Sequence, residues 1–188
     1  MVRELSPYSG LALSKDPKIK IVPMKRRHLK QVLAIENEII STPWSKDLFL
    51  GELNLSNRSY WVAKTRRKIL GYGGLMMSLE DGHITTLTVS PLWRRKKIAT
   101  ALLLKLARQA IKYGACNLTL EVRVSNKAAQ NLYYQFGFAP AGIRPNYYSG
   151  NKEDALIMWA EDVNKDNYKS RLDRIEASIE RMPISGYQ

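Results

Sequence analysis

The stretch Leu87-Thr88-Val89-Ser90-Pro91-Leu92-Trp93-Arg94-Arg95-Lys96-Lys97-Ile98-Ala99-Thr100 decides the reading of this chain. It reads as a β-strand, a short Pro-containing turn, four consecutive cations and the start of a long apolar helix. The first N–H groups of a helix lack intrahelical partners, and the helix dipole adds partial positive charge at that end. Flanked by Arg and Lys, such an end is a phosphate site. It predicts a small phosphorylated ligand gripped by its diphosphate.

Outward from this unit the elements follow in order. Ile19 to Val22 predict a first strand, and Leu29, Val32, Leu33, Glu36, Ile39 and Ile40 keep helical spacing. Ser45 is placed to cap a second helix that runs to about Leu55, with Asp47 in its first turn. Strands are expected over 59–65 and 69–78, and Asp81-Gly82 turns the chain into a strand over 84–89. The long helix from Ile98 ends at Gly114, a usual stop residue. A strand over 117–122, a short helix over 126–135, and strands at 138–140 and 155–160 complete the series. This order predicts an α/β (α+β) architecture with a mixed sheet.

Residues 1–18 carry Pro7, Gly10 and Pro17 without sustained periodicity and are read as a mobile arm. Residues 19–160 are the domain, and 161–188 a C-terminal helical extension. In that extension Tyr168, Leu172, Ile175, Ile179 and Met182 form one apolar seam, expected to pack back onto the domain.

The 188 residues suffice for one domain with a real core, and a 45% hydrophobic share argues against disorder. No stretch resembles a signal peptide or approaches the roughly 18 apolar residues of a membrane span. A single cysteine, Cys116, excludes an internal disulfide framework and is read as an inert apolar residue. His28 and His83 lie in unrelated segments, so no metal site is expected. A cytoplasmic protein without membrane contact is the expectation. The net charge of +13 points to polyanionic surroundings, whether RNA, ribosome or a phosphorylated cofactor. Lys25-Arg26-Arg27, and Lys64 with Arg66-Arg67-Lys68, can equally be solvated turns.

Several motifs resemble the GNAT superfamily of acetyl-CoA-dependent N-acetyltransferases: the element order, the strand–basic turn–helix unit, and Asn126…Tyr133…Phe136-Gly137-Phe138. Leu118-Thr119-Leu120-Glu121-Val122-Arg123-Val124-Ser125-Asn126, Arg144-Pro145-Asn146-Tyr147-Tyr148, Glu153 to Met158 and Thr42-Pro43-Trp44-Ser45 are similar to its ribosomal-protein-alanine branch, typified by RimI. The resemblance covers 19–160 and implies a mostly antiparallel sheet of about seven strands with about four helices. It implies acetyl-CoA as co-substrate, no metal, and as acceptor the N-terminal alanine of small-subunit ribosomal protein 18. Lysine side chains, polyamines or antibiotics are alternative acceptors, and a decayed, RNA-binding module is a further reading.

Residue by residue, the resemblance assigns the pantetheine arm to Leu87, Thr88, Val89 and Asn126, although Asn126 also suits a helix cap. It assigns the diphosphate to Arg94, Arg95, Lys96, Lys97, Ile98, Ala99 and Thr100. The pattern departs at Lys97, where the family usually has a glycine. If Lys97 takes φ > 0, the strain costs about 1 kcal/mol.

Alternation along 118–123 sets Glu121 on the face opposite Leu118, Leu120 and Val122. A carboxylate in a central strand is costly unless paired or functional. Glu121 is either salt-bridged, for instance to Arg123, or, as the resemblance implies, the general base. Tyr133 is implied as the acid that protonates the departing thiolate; the adjacent Tyr134 is easily confused with it, and core packing is the competing reading. Trp44, Tyr147 and Tyr148 are expected to shape the acceptor pocket, with Glu36, Glu38 and Asp47 as a local acidic entrance.

Overall fold

The computed structural model describes residues 18–180 and 182–187. The expected arm at 1–18 therefore lies, apart from its last residue, outside the described residues. Among the described residues eight strands form one sheet, in the order β6-β7-β5-β4-β3-β2-β1-β8. They are β1 (Ile19–Pro23), β2 (Arg58–Lys64), β3 (Ile69–Ser78), β4 (Asp81–Val89), β5 (Asn117–Arg123), β6 (Ala139–Tyr148), β7 (Glu153–Ala160) and β8 (Ile184–Ser185). Among the described residues only the β4–β5 and β1–β8 pairs are parallel.

Among the described residues five α-helices flank the sheet: α1 (Leu29–Ile39), α2 (Lys46–Asn54), α3 (Ile98–Lys112), α4 (Lys127–Gln135) and α5 (Asp166–Ala177). Ser45 Oγ accepts from the Leu48 N–H and caps α2. Gly114 and Gly137, with φ of 90° and 83°, stop α3 and α4, where a side chain would strain. The apolar stripe of α1 covers one sheet face with α2, through Leu29, Val32, Phe49, Tyr60 and Tyr72. The other face is buried by α3, whose Leu102, Leu103 and Leu106 are fully covered.

The extension packs back through its seam. Tyr168, Leu172 and Ile179 are buried in the α3-side core, with Ile175 and Met182 against it. It also does what its sequence did not announce. Ile184 and Ser185 pair with Ile19 and Lys20, adding an eighth strand to the sheet.

Candidate active site

The site is created where two parallel strands part. β4 and β5 are paired only at Asp81↔Asn117, Gly82↔Leu118 and His83↔Thr119. Beyond His83, β4 stays with β3 while β5 follows β7. A register shift places Thr86 opposite Gly74 and Ile84 opposite Leu75, so Thr85 is the extra residue of a bulge that bends β4. Gly74 permits it: a Cβ there would lie 2.3 Å from the Tyr60 ring and 2.6 Å from Thr85 Oγ1. Two cavities occupy the opened gap.

The first, of about 580 Å³, is lined by Leu87, Thr88, Val89, Arg94, Arg95, Lys97, Ile98, Ala99, Thr100 and Asn126 among others. Lys96 is the one residue of the predicted set outside this lining; its ammonium lies 4.9 Å from the centre of the Trp93 ring. Asn126 Oδ1 accepts from the Ala129 N–H and caps α4, so a ligand contact falls to its amide nitrogen. Lys97 is the N-cap of α3 at φ 58°, ψ 12°, and Arg95 also has positive φ, at 62°. Lys97 thus takes the left-handed backbone under which the substitution for glycine carries strain. Two left-handed residues within three curl the loop at the start of α3, the kind of backbone turn that forms anion-binding concavities.

Two substitutions separate charge from strain at this position. Lys97→Ala keeps a Cβ, and with it the strain, but removes the ammonium; coenzyme A binding should weaken roughly 3- to 10-fold at low salt, read by calorimetry. Lys97→Gly removes both, and relative to the alanine variant should raise Tm by about 2–4 °C, equivalent to about 1 kcal/mol.

The second cavity, of about 460 Å³, contains Glu121, His83, Glu36, Trp44, Tyr147 and Tyr148 in its lining. Glu121 is paired with neither Arg123 nor solvent alone. Its Oε2 lies 3.2 Å from His83 Nε2 and its Oε1 3.1 Å from Arg144 Nη1. The His83 hydrogen bond, opposed by desolvation and helped by the charges of His83 and Arg144, holds the carboxyl below the usual carboxylate range. Arg123 is used elsewhere. It pairs with Glu153 at 2.9 Å, donates to Ser41 Oγ at 3.2 Å and lies 3.9 Å over the Tyr148 ring. Hydrogen bonds from Ser125, with help from Arg123, hold Glu153 down to about 2. One arginine thus ties β5 to both loops that wall the cavity.

Of the expected acidic entrance only Glu36 reaches the lining; Glu38 and Asp47 are exposed. Glu36 is buried, accepts from the Trp44 N–H at 3.0 Å and receives the Tyr72 hydroxyl. Burial pushes its carboxyl up, against the lowering effect of the Trp44 N–H. It pins the loop that carries Trp44.

Ile40, Leu87, Thr88, Asn126 and Tyr133 line both cavities and so mark their junction. Tyr133 is 7% exposed, with its ring 5.8 Å from Phe138, whereas Tyr134 is 44% exposed. Burial, with a smaller contribution from Tyr148, raises the Tyr133 phenol well above its ordinary value. A further depression of about 580 Å³, between α3 and α5, shares no lining residue with either cavity.

His83 and Arg144 are the site residues that sequence reading missed. His83 alternates with Gly82 and Ile84, whose side of β4 is buried, and so shares a face with Glu121 once β4 and β5 are aligned. Placing the strand start at 84 left it in a turn.

Residues 29–138 match the Acetyltransferase (GNAT) family. The chain belongs to the GNAT family. It is an N-acetyltransferase, and enzymes of this family take their acetyl group from acetyl-CoA. A Bacillus subtilis (strain 168) protein with the provisional name ribosomal protein bS18-alanine N-acetyltransferase is 39% identical over 138 residues, spanning 72% of this chain and 91% of that protein. The ribosomal protein bS18-alanine N-acetyltransferase of Escherichia coli (strain K12) is 32% identical over 126 residues, spanning 66% and 84%. The crystal structure of the E. coli ribosomal-protein-S18-alanine N-acetyltransferase has a TM-score of 0.70 at 29% identity, over 77% of this chain and 94% of that one. Among the described residues no helix is long and apolar enough to cross a membrane.

Proposed function

We propose that this GNAT enzyme acetylates the α-amino group of polypeptides that begin with alanine, with small ribosomal subunit protein bS18 as acceptor. Transfer is direct, in a ternary complex, and takes place in the cytoplasm. Residues 19–160 form the catalytic domain and 161–188 its extension. The observation that carries this reading is the junction of the two cavities, with Glu121 and His83 on one side and the basic loop on the other.

The loop supplies anion-binding groups and the opened edge of β4 supplies backbone partners, so the first cavity fits coenzyme A. When bound there, acetyl-CoA supplies an acyl group activated as a thioester. Glu121, as a carboxylate oriented by His83 and Arg144, takes the proton from the acceptor ammonium. The neutral nitrogen then bonds to the acyl carbon as the carbon–sulfur bond breaks, and Tyr133 gives its proton to the sulfur. The surplus proton on the new amide nitrogen leaves to solvent, from which the Tyr133 phenolate is reprotonated. Cys116 lines neither cavity, which favours direct transfer over an acetyl-enzyme. Deprotonating an α-amine at pH 7 costs about 1 kcal/mol, against about 4.6 for lysine, so a modest base favours the α-amine. The net charge of +13 supports RNA as an additional contact.

Release of coenzyme A thiol tests the acceptor class, using peptides that start with Ala, Ser or Met and a blocked peptide with an internal lysine. Turnover with the free Ala peptide is expected. Turnover of the blocked peptide alone would assign a lysine acetyltransferase, and silence with all four would move the acceptor to small amines.

A further inference from the structure

We propose that the face built from the Lys25–Lys30 segment and the Lys64–Lys68 turn binds the phosphate backbone of RNA. The two basic clusters lie well apart in sequence, but the fold joins them. Gln31, in the first turn of α1, donates to the Arg67 carbonyl at 3.4 Å and accepts from the Ile69 N–H at 2.8 Å. The start of α1 therefore rests on the β2–β3 turn. That turn is itself fixed, since Thr65 Oγ1 accepts from the Lys68 N–H at 3.1 Å and Thr65 N–H donates to the Lys68 carbonyl at 2.9 Å.

Lys25, Arg26, Arg27, Lys30, Arg66, Arg67 and Lys68 are all exposed. Among the described residues none of them forms an ion pair. The sequence places no Asp or Glu from 18 to 35 or from 53 to 79, so neither segment neutralises its own charge. His28, buried between the clusters, feels both: burial, then Arg27, Lys64 and Lys25, disfavour its protonated form. Seven exposed cations gathered by the fold, none of them ion-paired among the described residues, attract a polyanion and release its counterions. Arginine forks match phosphate geometry. A lipid surface is the weaker fit, because none of the exposed large hydrophobic residues lies in either segment.

The face also suits the acceptor. Glu36 and Ile40, in the cavity linings, are five and nine residues beyond Gln31, roughly 8–14 Å along α1 and its end. A basic ribosomal protein repels a basic enzyme, and an RNA that binds both would bring the acceptor N-terminus within reach of the cavity. This deepens the proposed function, but RNA binding is measured without any acceptor.

Fluorescence anisotropy with a labelled RNA hairpin of about 20 nucleotides, titrated with the full chain between about 50 and 200 mM KCl, is the test. Saturating coenzyme A is present, to cover the phosphate loop. The Arg26→Gln/Arg27→Gln/Arg66→Gln/Arg67→Gln variant should bind at least about tenfold more weakly, with the salt slope reduced by about 3–4. The exposed pair Arg66→Gln/Arg67→Gln alone should give about half that slope change. Ala-peptide turnover within about twofold of wild type shows that the variants are folded.

Absence of RNA binding by the wild type, or unchanged binding by the variants, overturns the inference. So does binding that coenzyme A abolishes, which would assign RNA to the phosphate loop, or preference for phosphatidylglycerol vesicles over RNA. Loss of RNA binding in the variants, in a protein that acetylates none of the peptides, would leave the inference standing and sink the acceptor proposal; circular dichroism then reports folding.

Discussion

Glu121→Gln should lower kcat/KM for an Ala-starting peptide by about 10²–10³-fold, while coenzyme A affinity stays within about twofold. The lower bound corresponds to about 2.7 kcal/mol of transition-state stabilisation. Glutamine fills the same volume between His83 and Arg144 but cannot accept a proton, so the change isolates the base. The pH dependence gives the sharper test. In the wild type the carboxyl is held below its usual range by the His83 hydrogen bond, with Arg144 adding to it, so it is ionised across the neutral region. The acceptor α-amine, with an ordinary pKa of 7.7–8.0, needs this base at pH 7 and much less at pH 9. The deficit of the variant should therefore shrink as pH rises through about 8. A deficit that stays constant from pH 6.5 to about 9.5 would make Glu121 a structural anchor for Arg144 and His83. Stability follows the other sign rule. A carboxyl lowered in the folded state stabilises above its unfolded pKa, and that contribution disappears as pH falls through the folded value.

How much of this site was legible depended on whether a residue's role follows from its own segment. The strand–loop–helix unit at 87–100 is local, because a turn proline, a cationic run and a capless apolar helix start are written contiguously. The departure from a glycine at Lys97 was legible, whereas its left-handed backbone, at φ 58°, is read from the structure. Glu121 was legible from period-two alternation, but its partners were not. His83 and Arg144 come from β4 and β6, on either side of the strand pair that β5 and β7 form, and only the sheet order brings them to one carboxylate.

β6 shows the same limit in the fold. Pro140, Gly142 and Pro145 interrupt any alternation, most of the strand is exposed, and two register shifts mark its pairing with β7. Sequence reading kept only its first residues, because the strand is imposed by the hairpin with β7. β8 is two residues long and is paired only because α5 and Ile179 bring the chain back beside β1. A segment that short carries no periodicity to read.

Tyr133→Phe should reduce kcat about 30- to 100-fold with little change in the peptide KM. Tyr133 is one of the five residues shared by both cavities, where in the proposed mechanism the acyl group passes from sulfur to nitrogen. Burial keeps the phenol protonated far above neutral pH, so it stands ready as a donor. A coenzyme A thiolate, with a thiol pKa near 8.5, leaves fairly well unaided, which places the effect at or below the low end of general-acid catalysis. Phenylalanine retains the edge-on contact to Phe138, so the fold should lose less than about 1 kcal/mol. Two comparisons separate proton donation from packing. Tyr134→Phe, on the exposed neighbour, should leave kcat within about twofold. An acetyl thioester of a more acidic thiol should narrow the gap between Tyr133→Phe and wild type, because a better leaving group needs less protonation. An equal deficit with both donors would assign Tyr133 to the architecture of the junction and leave the thiolate to depart unprotonated.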